Sequence, residues 1–338
     1  MRVPLALLGL SLLSNPCTSF SPLPGHSCRA RNGASPTKTR AASASGAPRL
    51  SNTGKLRELL AEQERTGEAL IMPCCYDGLT ARLVEQGGFP LTFMTGFGVS
   101  ASHGFPDTQL ISYAEMQQRA LEIIAALDSI PCIGDGDTGY GNAVNVKRTV
   151  RGYAQAGLAA IMIEDQVSPK KCGHTRGKDV VGRAEALARV QAACDARDEG
   201  ADILILARTD ARGPLGMREA LERCQEFKRI GADIIFLEAP ESVQEMQQFC
   251  DEVPGPKLAN MLEHGKTPIL SPKELGAMGF AIAAYPLTLL SASMRAMRFA
   301  LQRLKAGESC DDLLLPFQEV QAGVGFPDYW AEEDRYRT

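Results

Sequence analysis

The sequence predicts an α/β fold, a (β/α)8 TIM barrel carrying extra C-terminal helices. Three features predict it: eight short apolar runs recur along the chain, helical stretches separate them, and polar or ionisable residues follow each run. The runs are Ala69–Pro73, Pro90–Thr95, Ile130–Gly134, Ala160–Glu164, Ile203–Arg208, Ile234–Glu238, Pro256–Asn260 and Phe280–Ala284. Parallel strands covered on both faces read as near-continuous apolar runs, unlike the alternation of a half-exposed sheet. Between them, segments such as Glu185–Glu199 and Met217–Ile230 have the apolar periodicity and length of helices. Eight such units in roughly 240 residues fit a closed barrel, which sets the catalytic domain at residues 51–307.

Cys74 to Asp77, Thr95, Asp135 with Asp137, Glu164 with Asp165, Arg208 to Asp210, Glu238, Asn260 and Tyr285 all stand at strand ends. In such a barrel these positions share the C-terminal rim, where catalytic groups gather. A single polar residue there merely begins a loop, but eight clusters on one rim predict a site. Past the eighth unit, Ser291–Ala306 reads as another helix, and the tail at 308–338 holds the sole tryptophan, Trp330. The tail exceeds what a barrel needs and is expected to contact a neighbouring subunit.

The first 50 residues read differently. Val3–Leu13 is an apolar run directly behind Met1 and Arg2, well short of the ~20 residues that span a bilayer, and resembles a signal-peptide core. No Asp or Glu occurs from Met1 to Arg57, while Arg29, Arg31, Lys38, Arg40 and Arg49 stand among Ser, Thr, Ala and Pro, as in a transit peptide. Residues 1–50 are therefore expected to be a disordered, two-part leader directing the protein to a plastid of secondary origin. The alternatives are a plain secretory signal with a spacer, or a single plastid or mitochondrial transit peptide. The rest of the chain carries 30 basic against 40 acidic residues, a net of −10. Such a body is not expected to seek nucleic acid or a membrane. Ten cysteines without CxxC spacing, two of them (Cys17 and Cys28) in the leader, predict reduced thiols.

Ile133–Gly141 reads IGDGDTGYG. Gly134, Gly136 and Gly139 match the GxGxxG dinucleotide fingerprint, which would suit a nicotinamide-dependent oxidoreductase. Asp135 and Asp137 argue against it, because two carboxylates would face a pyrophosphate. Carboxylates two apart on glycine-flanked backbone suit a hard divalent cation, Mg2+ or Mn2+. An anion-binding loop and a structural turn remain the other readings. Glu164–His174 reads EDQVSPKKCGH, placing Cys172 among Lys170, Lys171 and His174, where cationic neighbours favour a reactive thiolate. On spacing alone, an idle thiol fits Cys172 equally, and a satisfied polar residue fits His174 better than a catalyst. No zinc site is expected there, since no second ligand stands at zinc spacing.

DGDTGYG, KKCGH, ARTDA (Ala207–Ala211), FLEAP (Phe236–Pro240), LANM (Leu258–Met261) and AAYPL (Ala283–Leu287) occur in this order. Over about residues 56–307 the chain thereby resembles the isocitrate lyase/phosphoenolpyruvate mutase superfamily. KKCGH places it nearer the lyase branch, which includes methylisocitrate lyase, 2,3-dimethylmalate lyase, oxaloacetate hydrolase and petal death protein. Plant relatives in this branch are often named carboxyvinyl-carboxyphosphonate phosphorylmutase.

The resemblance implies Asp137 as a metal ligand, with Asp135, Glu164 and Asp107 (in GFPD) holding the metal's waters. It implies that Thr95, Gly96 and Phe97 bind a substrate carboxylate. Arg208 would bind a substrate oxygen with Glu238 orienting it, Asn260 and Thr267 would contact the far carboxylate, and Gly173 would lie in the gating loop against the substrate. Lys170, Cys172 and His174 would be the loop's catalytic groups. The implied reaction is Mg2+-dependent cleavage of a 2-hydroxy-dicarboxylate to a 2-oxo acid and a carboxylate, with Cys172 protonating the departing carbanion. The loop 167–178 would close over it, hinged at Gly173 and Gly177. Phe93 departs from the pattern, since many lyases of the family carry Tyr there. The substrate's hydroxyl proton must then leave by water, metal-bound hydroxide or a loop residue.

Competing readings are oxaloacetate hydrolysis, phosphonomutase chemistry and a non-catalytic barrel. The family resemblance also implies a homotetramer formed by swapping a C-terminal helix.

Overall fold

In the computed structural model, which describes residues 50–172 and 177–338, each expected run forms a strand, and eight strands close a parallel barrel in chain order. They are β1 (Leu70–Cys75), β2 (Thr92–Met94), β3 (Cys132–Asp135), β4 (Ala160–Glu164), β5 (Leu204–Thr209), β6 (Ile234–Leu237), β7 (Lys257–Asn260) and β8 (Ile282–Tyr285). Pairing of β1 with β8, Leu70 opposite Ile282 and Pro73 opposite Tyr285, shuts the ring. The expected leader, residues 1–50, lies outside the described residues except for Leu50, which is exposed.

Alternate residues of each strand point to opposite sides, so the barrel has two apolar layers. Met72, Phe93, Ile133, Met162, Leu204, Leu206, Ile234, Phe236, Leu258 and Ile282 fill the interior. Their neighbours, among them Cys75, Ile161, Ile163, Ile205, Ala207, Ile235 and Leu237, pack against the surrounding helices.

Seven of the eight strands differ from the expected runs at one or both ends, and only β4 matches throughout. The β1 run was expected to end at Pro73, but the strand continues to Cys75. Proline lacks an N–H, yet its carbonyl remains useful and accepts from the Thr92 hydroxyl at 2.9 Å. The second run, expected over Pro90–Thr95, narrows to three residues.

A helix at Asn52–Thr66 precedes β1 and was not anticipated. Ser51 caps it, accepting from the Gly54 N–H at 3.2 Å, and Leu56, Leu59 and Leu60 pack on the interior cluster at the starts of the strands. At the other end, the helix expected from Ser291 begins at Thr288 and runs to Ala306, with further helices at Phe317–Val324 and Phe326–Arg335. None of these three helices has a buried residue, and Met297, Phe299, Leu301, Leu304, Phe317 and Trp330 are exposed. Among the described residues, no helix is long and apolar enough to cross a membrane, and the eight described cysteines are free thiols.

Candidate active site at the C-terminal rim

A cleft of about 640 Å3, counting solvent at its mouth, opens where the strands end, within the range of small-molecule sites. Of the residues singled out from sequence, Thr95, Phe97, Asp107, Asp135, Lys170, Cys172, Arg208, Glu238 and Asn260 line it. The rest of the lining is largely apolar: Phe93, Phe236, Leu258, Leu262, Pro286 and Leu287 form much of one wall.

Asp135 ends β3 and is locked by backbone. Its Oδ1 accepts from the Asp137 N–H and its Oδ2 from the Gly96 N–H, both at 3.0 Å. A Cβ at Gly96 would stand 2.6 Å from that Oδ2, so this position takes no side chain. The Gly96 N–H is thereby engaged by Asp135 rather than open to a substrate carboxylate.

Asp137 is left-handed at φ 49°, a conformation that costs free energy in a non-glycine residue. Its Oδ2 accepts from the Tyr140 hydroxyl at 2.9 Å, and its carbonyl accepts from the Glu164 N–H at 2.9 Å. The glycines of the GxGxxG match are used for packing. A Cβ at Gly136 would meet the Met162 carbonyl oxygen of β4 at 2.6 Å, and one at Gly134 would meet Leu158 at 2.6 Å.

Four carboxylates, Asp107, Asp135, Asp137 and Glu164, gather here with Lys170, all of them buried. Lys170 Nζ lies 2.7 Å from Asp107 Oδ1 and 2.7 Å from Asp137 Oδ1. Burial works against the lysine's charge, but Asp137, Asp135, Asp107 and Glu164 outweigh it and hold the ammonium well above its ordinary range. Burial pushes the Asp137 carboxyl up to about 6, with Lys170 opposing and Asp135 and Asp107 adding to the rise. Burial likewise raises Glu164 well above the usual carboxylate range, against the pull of Arg208. Among the described residues, these four acids share Lys170 and, at Glu164, Arg208 3.3 Å away, fewer positive charges than negative ones.

The unsatisfied atoms agree. Both Glu164 carboxylate oxygens are buried without a hydrogen bond, and Asp107 Oδ1 and Asp137 Oδ1 are buried against the Lys170 ammonium at 2.7 Å each. Hard oxygens so placed fit Mg2+, which takes one or two carboxylates and keeps several waters. Among the described residues, no group of three or more His, Cys, Asp or Glu side chains converges as a ready metal cage.

Beside Glu164, Arg208 at the end of β5 is fixed by three acids. Its Nε and Nη2 donate to Asp210 Oδ2 and Oδ1 at 2.8 and 3.0 Å, Nη2 is 3.2 Å from Glu238 Oε2, and Nε is 3.3 Å from Glu164 Oε2. The guanidinium carbon lies 5.2 Å from the centre of the Phe236 ring. Asn260 Nδ2 donates to Glu238 Oε1 and Oε2 at 3.4 Å each. Cys172 lines the same cleft, half-buried.

Gly96, Asp137, Glu164 and Thr267 are not among the lining residues; Thr267 is buried, and its hydroxyl makes no hydrogen bond. Gly173 and His174 lie outside the described residues. Sequence reasoning missed Gln109, Lys178 and the supporting role of Asp210. Lys178 Nζ is 2.9 Å from Asp210 Oδ1, and Gln109 Oε1 accepts from the Lys170 N–H at 3.0 Å and from Ser168 Oγ at 2.9 Å. Asp210 stood at a noted strand end and was legible; Gln109 and Lys178 lie in loops and carried no signal.

The sequence profile of phosphoenolpyruvate phosphomutase matches residues 58–305. A 2,3-dimethylmalate lyase of Eubacterium barkeri is 42% identical over 293 residues, covering 86% of this chain and 99% of the relative. A chloroplastic carboxyvinyl-carboxyphosphonate phosphorylmutase of Arabidopsis thaliana is 40% identical, covering 79% and 80%. A 2-methylisocitrate lyase of Aeropyrum pernix is 39% identical, covering 81% and 87%.

Among solved structures, a 2,3-dimethylmalate lyase superposes with TM-score 0.80 at 36% identity, covering 85% of this chain and 96% of that one. Oxaloacetate acetylhydrolase bound to 3,3-difluorooxalacetate follows at 0.78 and 37%, covering 84% and 96%. Phosphonopyruvate hydrolase, solved with oxalate and Mg2+, superposes at 0.74 and 28%, covering 85% and 99%. With barrel, rim residues, profile and relatives in accord, the chain belongs to the phosphoenolpyruvate mutase/isocitrate lyase superfamily.

Proposed function

We propose that this chain is a Mg2+-dependent carbon–carbon lyase, with Mn2+ a workable substitute. Its substrate would be a 2-hydroxy acid of the 2-alkylmalate type, or the tricarboxylate 2-methylisocitrate, split to a 2-oxo acid and a carboxylate. The observation that carries this reading is the pairing of a buried, cation-short acid cluster with an apolar wall, Arg208 and Cys172 in one cleft.

Asp137 would ligate the cation, and Asp107, Asp135 and Glu164 would hold its waters. Bound there, Mg2+ supplies Lewis-acid stabilisation of the oxygen developing on the 2-oxo-acid half. Arg208, immobilised by Asp210 and Glu238, binds a substrate oxygen with charge-assisted hydrogen bonds. Thr95 and Phe97 border one carboxylate, and Asn260 the other.

As the C2–C3 bond breaks, its electron pair passes to C3, and the Cys172 thiol donates a proton there, leaving a thiolate. The hydroxyl proton finds no tyrosine at Phe93 and passes to water or a loop residue. Closure of the loop 167–178, with Gly177 at φ 74°, keeps water from the carbanion.

Among the described residues, the cleft presents two cations, Lys170 and Arg208, each already facing two or more acids. An alkyl substituent on the substrate would meet Phe236, Leu258, Leu262 and Pro286, which supports a 2-alkylmalate. The test is release of 2-oxo acid from each candidate, with and without Mg2+.

The bare apolar faces of the C-terminal helices support a homo-oligomer, a tetramer built by exchanging the helix Thr288–Ala306. The acid-free composition of residues 1–57 supports removal of a leader at entry to a plastid. We assign residues 51–307 to the catalytic barrel and 308–338 to the subunit contact. Nucleic acid and membrane lipid are not expected partners for so acidic a body.

A further inference from the structure

Lys170 stands where its charge conflicts with the cation the site requires. Its ammonium is 2.7 Å from Asp137 Oδ1 and 2.7 Å from Asp107 Oδ1, bridging two of the acids assigned to the cation. It supplies there the positive charge that a metal ion would also supply. An octahedral Mg2+ at about 2.1 Å from the Asp137 carboxylate oxygen, with its shell of water, competes with the ammonium for the same space and the same negative charge.

The lysine's backbone is held independently of its side chain. Its N–H donates to Gln109 Oε1, which also accepts from Ser168 Oγ, while Gln109 Nε2 donates to Thr138 Oγ1 at 2.9 Å. The side chain can leave the acids while the start of the loop stays anchored to the DGDTG segment. The lysine also lines the cleft, so a released ammonium has the substrate's carboxylates within its sweep.

We propose that Lys170 is an internal counter-cation: it neutralises the acid cluster in the metal-free enzyme and is displaced from Asp137 by the incoming divalent ion. Displacement turns the ammonium toward the substrate side of the cleft. One cation thus serves two anionic partners in sequence, and an anionic substrate meets a binding charge only after the metal has arrived. The inference rests on the divalent-cation reading above.

Two measurements test it, neither of which reads activity. The first is lysine acetylation followed by mass spectrometry on chelated wild-type protein, with and without Mg2+ alone. Lys170 should be protected in the chelated protein and label at least about tenfold faster with Mg2+, since it is buried only while paired. The second is calorimetric titration of Mg2+ into Lys170→Met. The variant should bind Mg2+ at least about tenfold more tightly, because a unit positive charge no longer competes a few ångströms away. Its chelated form should also melt below the wild type and recover with Mg2+.

Mg2+ binding to wild type with Lys170 still protected overturns the inference and leaves the cation reading intact, as does unchanged or weaker binding by the variant. If wild type shows no Mg2+ binding at all, both fail. The acetylation experiment needs no variant, so poor folding of Lys170→Met would not shield the proposal.

Discussion

Replacing Asp210 by Asn tests how the cleft holds its arginine. Asp210 is fully buried, accepts two hydrogen bonds from Arg208 at 2.8 and 3.0 Å, and faces Lys178 at 2.9 Å. Burial alone would raise its carboxyl, but Arg208 and Lys178 outweigh burial and hold it below the usual carboxylate range. It is ionised at neutral pH, and Asp210→Asn leaves two buried cations facing an amide. Breaking a buried pair costs about 3–5 kcal/mol. The lower end applies, because Arg208 keeps Glu238 and Glu164. At about 2–4 °C per kcal/mol for a domain of this class, the melting temperature should fall by roughly 6–12 °C.

The sign with pH follows from the direction of the shift. A carboxyl whose folded value is depressed contributes stability above its unfolded value of about 3.9 and loses it as pH falls through the folded value. The gap between wild type and variant should therefore be full at pH 7 and close only in strong acid. A displaced Arg208 should also reduce kcat/KM by about 10²-fold, the usual cost of a small misplacement. Thermal melts across pH with parallel kinetics make the measurement. A variant melting within about 2 °C of wild type, a shift below 1 kcal/mol, with near-normal turnover would refute the argument.

Further outcomes follow from the same geometry. Asp137→Ala should abolish activity, while Asp135→Ala should retain a residue that rises with added Mg2+ or Mn2+; equal, metal-independent activity in both would remove the metal assignment. Cys172→Ser should lower kcat by at least about 10²-fold with little change in substrate binding, since positioned proton transfer is worth 10²–10⁴. Alkylation of Cys172 should slow in the presence of Mg2+ and products; unchanged labelling would argue against loop closure. A chain ending at Gly307 keeps the exchanged helix Thr288–Ala306 but loses the contact at 308–338, so its subunit association should weaken by light scattering; unchanged association would remove the tail from the interface. A chain beginning at Ser51 should keep full activity.

The barrel was legible because its strands are covered on both faces, so each appears as an unbroken apolar run whatever its neighbours do. Ala160–Glu164 was read to the residue. The helix Asn52–Thr66 was missed although Ser51 as cap and Leu56, Leu59 and Leu60 at helical spacing were available signals; the acid-free stretch running on to Arg57 obscured them. The acids of the cleft were legible because strand ends fix their place. Loop groups were not. Nothing in PKKCGH says that Lys170 reaches back to Asp107 and Asp137, or that Lys178 meets Asp210, because such contacts depend on how the loop folds over the rim.

The central claim is that this cleft cleaves a carbon–carbon bond under a divalent cation. A lactate-dehydrogenase-coupled assay over 2,3-dimethylmalate, other 2-alkylmalates, 2-methylisocitrate, oxaloacetate and phosphonopyruvate tests it most directly. The account predicts Mg2+-dependent release of a 2-oxo acid, fastest from an alkylmalate and lost on chelation. Turnover of phosphonopyruvate above every hydroxy-dicarboxylate, or 2-oxo acid release that survives chelation, would contradict it.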